Sequence, residues 1–187
     1  MNVLDVAAEV IDALNTLNAG YMLVGSLATN LYGIPRNTND ADFVLSPEMT
    51  DAVSVSDLLG TAYRLDNPMS FESVTLTSRR VLTHTETGFL IEFFGLSQDP
   101  HDLTRFNRRI QIEFLNRPAF VPTVEDVIIT KLRWAIIGKR AKDASDVKNV
   151  LSVQRPSDID EAYLRRWTDS HGTTKLLDQL LADTKHL

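Results

Sequence analysis

Leu23-Val24-Gly25-Ser26 ends a short apolar run on a glycine-serine turn, and thirteen residues later Asp40-Ala41-Asp42-Phe43 sets two acids one residue apart. Tyr21 to Val24 reads as a strand stopped by Gly25-Ser26, Leu27 to Tyr32 as a brief helix, and Gly33 to Asn39 as a turn-rich connection. Ala41 to Leu45 is then a second strand. Side chains two apart on a strand point to the same side, so Asp40 and Asp42 present their carboxylates together. Like charges held that close repel. A divalent cation removes the repulsion, and hard oxygen ligands suit Mg²⁺ or Mn²⁺, with substrate phosphates completing the shell. Gly25 and Ser26 supply what a phosphate needs at a strand-to-helix turn: close backbone approach, free N–H groups and a hydroxyl.

Around this centre the chain alternates helix and strand. Val3, Leu4, Ala7, Ala8, Ile11, Leu14 and Leu17 recur at helical spacing over residues 3–18. Pro47 to Leu59 reads as a helix with Ser46 as N-cap. From Ala62 to Phe120 the pattern is mainly β: a strand pair at Phe71–Thr77 and Arg80–Thr85, a near-continuous apolar strand at Phe89–Phe94 expected to be buried on both faces, and a strand at Arg109–Leu115. A turn is expected over His101–Arg105. After Pro122, Thr123 and Asp126 cap a helix that runs to about Ile137 and ends at Gly138; helical stretches near 142–153, 157–168 and 173–184 follow. The expected class is α+β: a mixed β-sheet flanked by helices over residues 1–121, then a C-terminal helical segment over 122–187.

Composition narrows the chemistry. The 187 residues contain no cysteine, which excludes a disulfide scaffold, a thiol nucleophile and a cysteine-ligated zinc site. His84, His101, His171 and His186 are scattered, with no pair at metal-ligand spacing, so a histidine zinc site is not expected either. Nineteen basic against twenty-five acidic residues give a net charge of −6, which argues against a broad nucleic-acid-binding surface. There is no Gly-x-x-x-x-Gly-Lys-Ser/Thr phosphate loop and no Gly-x-Ser-x-Gly nucleophile turn. The start of the chain carries no secretory pattern and no stretch approaches a membrane span, so a cytoplasmic protein without a membrane partner is expected.

The Gly25-Ser26 turn and the Asp40-Ala41-Asp42-Phe43 strand, on apolar flanks, resemble the signature of the polymerase-beta-like nucleotidyltransferase superfamily, with the spacer at the upper end of that family's range. The resemblance implies that Gly25 and Ser26 hold a nucleoside triphosphate and that Asp40 and Asp42 bind catalytic Mg²⁺. It also implies a third carboxylate on a later strand. Glu92, a lone acid within Phe89-Leu90-Ile91-Glu92-Phe93-Phe94, is the candidate, because an acid in such a run needs a partner or a metal. Glu113 alternates with Gln111 and reads instead as part of a wet face. Most relatives carry Asp at the third position, so Glu92 puts full two-metal catalysis in question.

A second stretch, Pro122 to Leu132 followed by Arg140-Ala141-Lys142-Asp143-Ala144-Ser145-Asp146-Val147, is similar to the segment after the catalytic sheet in bacterial nucleotidyltransferase-like proteins, including abortive-infection toxins. By that resemblance Lys131 neutralises triphosphate charge and Asp146 orients the nucleotide or substrate. Against this, Lys142 and Asp146 at i, i+4 spacing read as a solvated pair, and Glu125 and Asp126 as first-turn acids complementing the helix dipole. Arg36, in the turn before the acids, is placed to reach a phosphate, whereas Arg79-Arg80 and Arg108-Arg109 read as solubilising edge charges. Trp134 and Trp167 read as packing residues.

The activity implied is transfer of a nucleoside monophosphate from an NTP to an acceptor hydroxyl or phosphate, with release of pyrophosphate. The acceptor is left open between tRNA, a protein and a small hydroxylated molecule, and a toxin-like reading adds an antitoxin-type partner. The alternative is a catalytically degenerate fold that binds nucleotide or a partner without turnover; a purely structural module would bind neither nucleotide nor Mg²⁺.

Overall fold

In the computed structural model, residues 1–46, 52–66, 70–72, 74–75 and 77–184 are described. The chain runs α1 (Val3–Thr16), β1 (Tyr21–Val24), α2 (Gly25–Tyr32), β2 (Asp40–Leu45), α3 (Ala52–Leu59), β3 (Tyr63–Leu65), β4 (Ser70–Phe71), β5 (Ser78–His84), β6 (Leu90–Gly95), α4 (Pro100–Arg108), β7 (Ile110–Phe114), β8 (Arg117–Val121), α5 (Val124–Ile137), α6 (Ala141–Val153), α7 (Glu161–Ser170) and α8 (Thr174–Thr184). The expected α+β class, a mixed sheet flanked by helices with a helical segment after it, is the class observed. Among the described residues, no helix is long and apolar enough to cross a membrane.

The main sheet has the order β1-β2-β6-β5-β3, with β4 on β5. Only β2 and β6 pair in parallel; β1–β2, β6–β5 and β5–β3 are antiparallel. The two faces of β2 divide its residues by chemistry. Ala41, Phe43 and Leu45 enter a core with Tyr21, Leu23, Leu82, Ile91 and Phe93, on which α1 and α3 pack. Asp40, Asp42 and Val44 lie on the other face, where Met22, Val24, Val44 and Phe106 make a small separate cluster. A second core, built by α5 to α8, gathers Ile128, Ile129, Leu132, Val147, Val150 and Leu177. Tyr32 at the end of α2 packs against it and donates its hydroxyl to the Pro122 carbonyl at 2.7 Å.

Three expectations are corrected. The apolar run at Phe89–Phe94 is not buried on both faces: Ile91 and Phe93 are in the core, Leu90 is 38% exposed, and Glu92 and Phe94 are half-buried on the acid-bearing face. His101–Arg105 is helix rather than turn, because Asp99 caps it by accepting the His101 and Asp102 N–H groups and Pro100 fits its first turn. Pairing near residue 71 is much shorter than expected: Ser70-Phe71 pairs with Ser78-Arg79, and Val74-Thr75 form a turn that the Glu72 carboxylate holds by accepting their N–H groups. The expected helix over 47–59 is present from Ala52; its proposed start at Ser46 and Pro47 borders residues outside those described.

Candidate active site

Register places the acids. In the parallel β2–β6 pair Asp42 stands opposite Glu92, and in the β1–β2 pair Asp42 stands opposite Val24, next to Gly25. Gly25 turns the chain straight from β1 into α2 with φ +62°, a left-handed conformation that favours glycine. A β-carbon there would also strike the Asp42 carboxylate, 1.8 Å from Oδ2. The glycine is therefore required twice, by its backbone and by what lies against it.

A cleft of about 460 Å³ opens on this face. Its walls include Gly25, Ser26, Asp40, Asp42 and Glu92 from the sheet side, and Lys131, Trp134, Arg140 and Asp143 from α5, α6 and the turn between them. Six of the eight residues singled out in the sequence thus line one cleft. Arg36 and Asp146 do not; they lie behind its wall in an ion-pair network. Arg36 grips Asp146 with two bonds, at 2.8 and 3.0 Å, and donates to the Ser26 hydroxyl at 2.8 Å. Lys131 Nζ bridges Asp143 and Asp146 at 2.8 Å each, and Arg140 adds a 3.1 Å contact to Asp143. Burial acts to raise the Asp146 carboxyl, but the bonds from Arg36 and Lys131 hold it below the usual carboxylate range.

The floor of the cleft is the electrostatically unusual point. The Asp42 carboxyl is pushed up to about 7, first by burial, then by Asp40 and Glu92, with Lys131 and Arg140 opposing. An acid raised by burial and then by two neighbouring acids is a group that a divalent cation would relieve, so the donor set suits a hard metal. The arrangement is not closed around an ion, however. Arg79 on β5 makes a two-pronged bond to Glu92, and Thr38 donates a short bond to Asp40. Among the described residues, the only three His, Asp or Glu ligating atoms that come within 4.8 Å of one another belong to Asp99, His101 and His171. Asp40, Asp42 and Glu92 share a face without closing to that distance.

Several residues read otherwise in the sequence belong to this region. Arg79 is no solubilising edge charge but the partner of Glu92, and Arg108 contacts Glu125 and Asp126 at 3.6 and 3.5 Å. Asp146 pairs with Arg36 and Lys131, so the solvated Lys142–Asp146 pair is not formed. Glu125 and Asp126 are buried: Glu125 accepts the Asp160 N–H at 2.8 Å, and Asp126 accepts the Tyr163 hydroxyl at 2.7 Å. Trp134, read as packing, lines the cleft with Arg140 over its ring at 4.8 Å. Asp143 carried a legible signal: at i−3 from Asp146 it shares that residue's helix face.

Solved structures with this architecture include protein JHP933 from Helicobacter pylori, 16% identical over 96% of this chain and 75% of that one, with a TM-score of 0.59. Another is an antigenic nucleotidyltransferase-like protein from Paracoccidioides brasiliensis, 17% identical over 96% and 92%, TM-score 0.58. A third is the antibiotic-resistance factor ANT(2″)-Ia, 15% identical over 100% and 94%, TM-score 0.53; another structure of that enzyme is a complex with adenylyl-2″-tobramycin. The chain has the nucleotidyltransferase fold. No family model matches its sequence. No curated protein matches it significantly. In this nucleotidyltransferase fold, the Gly25-Ser26 turn, the acids of β2 and the acid of β6 all face one cleft.

Proposed function

We propose that the protein is a metal-dependent nucleotidyltransferase that moves a nucleoside monophosphate from an NTP to an acceptor hydroxyl. The observation that carries this reading is the register that sets Asp42 beside Asp40, opposite Glu92 and against the Gly25-Ser26 helix start on one cleft floor. Asp40 and Asp42 would hold Mg²⁺ or Mn²⁺, and Glu92 would join them once Arg79 lets go. The bound ion supplies charge neutralisation on the triphosphate and acidifies the acceptor hydroxyl. The N–H groups at the start of α2 and the Ser26 hydroxyl bind phosphate oxygens. Lys131 and Arg140 face the charge that develops on the departing pyrophosphate. The acceptor oxygen bonds to the α-phosphorus as the bond to the β-phosphate bridging oxygen breaks, and the hydroxyl proton passes to water. The helical segment from residue 122 completes the cleft by contributing these cations.

A small hydroxylated acceptor is favoured over tRNA or a protein. ANT(2″)-Ia, whose described complex carries an adenylylated aminoglycoside, is among the similar folds, and the net charge of −6 suits a cationic small molecule better than RNA. A toxin-type acceptor, and the antitoxin partner that accompanies it, draws no support from these neighbours.

The test incubates purified protein with each α-labelled NTP, Mg²⁺ or Mn²⁺ and the RNA, protein and small-molecule fractions of a bacterial lysate. Asp42→Asn runs alongside. Label that enters one fraction and disappears in the variant supports transfer and identifies the acceptor class. Full activity in Asp42→Asn overturns the assignment. A second reading, a nucleotide-binding module without turnover, rests on the Arg79–Glu92 bond, which occupies the third acid. Nucleotide binding by thermal shift with no label in any fraction favours it.

A further inference from the structure

Behind the cleft, two histidines seventy positions apart in the chain meet. His101 stands in the first turn of α4, His171 caps the C-terminus of α7, and Asp99 caps the N-terminus of α4; one ligating atom from each lies within 4.8 Å of the other two. His101 is fully buried, and its Nε2 lies 3.1 Å from Asp126 Oδ1. Its Nδ1 is buried and meets no hydrogen-bonding group of the protein, and the same is true of His171 Nδ1. Two buried imidazole nitrogens without partners, side by side, are an expensive arrangement for a core to keep for packing alone.

We propose that Asp99, His101 and His171 form a binding site for a zinc-class dication, separate from the carboxylates of the cleft. Three features carry it. The Asp126 carboxylate on Nε2 of His101 is the outer-shell arrangement that orients a metal-ligating histidine and frees its other nitrogen. The C-terminal end of α7 favours positive charge at His171. Asp99 is gripped by Arg133 at 3.2 Å on Oδ1 and 3.0 Å on Oδ2, but Oδ2 accepts no other bond and keeps a lone pair for a metal that competes with that arginine.

Arg133 and Arg105 are the cations facing this cluster, and Asp102 and Asp126 the anions, so a dication does not enter a purely positive environment. Ligands around tetrahedral zinc stand about 3.3 Å apart. The three atoms therefore close by about 1.5 Å at most on binding, a movement open to the half-buried His171 ring. Water takes the fourth position. Trp167, with its ring centroid 4.9 Å from that of His101 and 5.5 Å from that of His171, is a built-in reporter.

Co²⁺ and Zn²⁺ are titrated into the full chain carrying Asp40→Asn and Asp42→Asn, which removes the competing cleft carboxylates, in excess Mg²⁺. One equivalent of Co²⁺ is expected to develop the visible absorption of a tetrahedral site and to quench tryptophan fluorescence, with Zn²⁺ displacing it. In the same background His171→Ala, at a partly exposed helix C-cap, weakens binding at least tenfold and removes the absorption. Asp99→Asn, which keeps the cap, weakens it less. Affinity unchanged in His171→Ala, loss of the signal to Mg²⁺, or no saturable Co²⁺ binding would each overturn the site. None of these readings depends on nucleotidyl transfer.

Discussion

Gly25 and Asp42 are packed so closely that no other residue can stand at position 25 without moving the carboxylate: an added β-carbon would come within 1.8, 2.7 and 2.9 Å of Asp42 Oδ2, Cγ and Cβ. Gly25→Ala should therefore abolish divalent-ion binding in the cleft while costing stability. The positive φ alone contributes about 1–2 kcal/mol of that cost. Adding Asp42→Ala removes the two closest contacts and should recover part of the melting temperature but none of the ion binding. Paired Mn²⁺ titrations and thermal melts of the wild type and the two variants read this out, and unchanged Mn²⁺ affinity in Gly25→Ala would contradict it.

Asp42 gives stability a pH dependence of definite sign. Its carboxyl is raised to about 7 in the folded chain, whereas an unfolded Asp ionises near 3.8. Between those values the folded state holds the extra proton, so stability falls as pH rises from about 4 to about 7 and is flat above. Asp42→Asn should lose that slope and melt higher than the wild type at pH 8. Saturating Mg²⁺ should flatten the wild-type slope too, because the ion replaces the proton, and Mg²⁺ affinity should climb through pH 7. Melting curves from pH 4 to 8 with and without Mg²⁺ decide it.

Arg79 makes a two-pronged bond to Glu92, so Arg79→Gln should tighten divalent-ion binding by freeing the third carboxylate. The pair is partly exposed, with side chains 31% and 17% accessible, and losing it should cost no more than about 1 kcal/mol. Calorimetric Mg²⁺ or Mn²⁺ titration tests the first statement and urea unfolding the second. Weaker ion binding in Arg79→Gln would mean that the arginine helps to build the site rather than blocking it.

Much of the candidate site was legible because its geometry is local. The strand alternation of Asp40 and Asp42 and the turn at Gly25-Ser26 need only the backbone within a few residues, and both appear where the pattern puts them. Glu92 was legible as an anomaly in an apolar run, but its partner was not. Arg79 reaches it only through the β5–β6 register, in which Arg79 faces Phe94 and Val81 faces Glu92. Likewise α4 stands where a turn was expected, although Asp99-Pro100 is a helix start. The meeting of His101 with His171 depends on how α7 packs beside α4 and leaves no trace in their spacing. The extent to which β6 would be buried failed for a related reason: apolar composition does not say which face opens on a cleft.

Lys131 sits 9% exposed between Asp143 and Asp146, themselves 1% and 3% exposed. Lys131→Met should destabilise by about 3 kcal/mol, because two buried carboxylates lose a shared cation. Asp146→Asn should cost less, since Lys131 keeps Asp143, yet it releases Arg36 from the bond that aligns it with Ser26. Urea midpoints of the two variants give the comparison, and equal effects would argue against Lys131 as the centre of the network.

The alternation along β2 ties folding and chemistry into one reading frame. Slipping the strand by a single residue would send Ala41 and Phe43 into the cleft and bury Asp40 and Asp42 in the core, so no intermediate register is tolerable. The connecting residues 33–39 belong to no strand of the sheet and are anchored instead by side chains, Arg36 to Asp146 and Ser26, and Thr38 to Asp40. An insertion within Asp40–Phe43 would therefore destroy fold and function together.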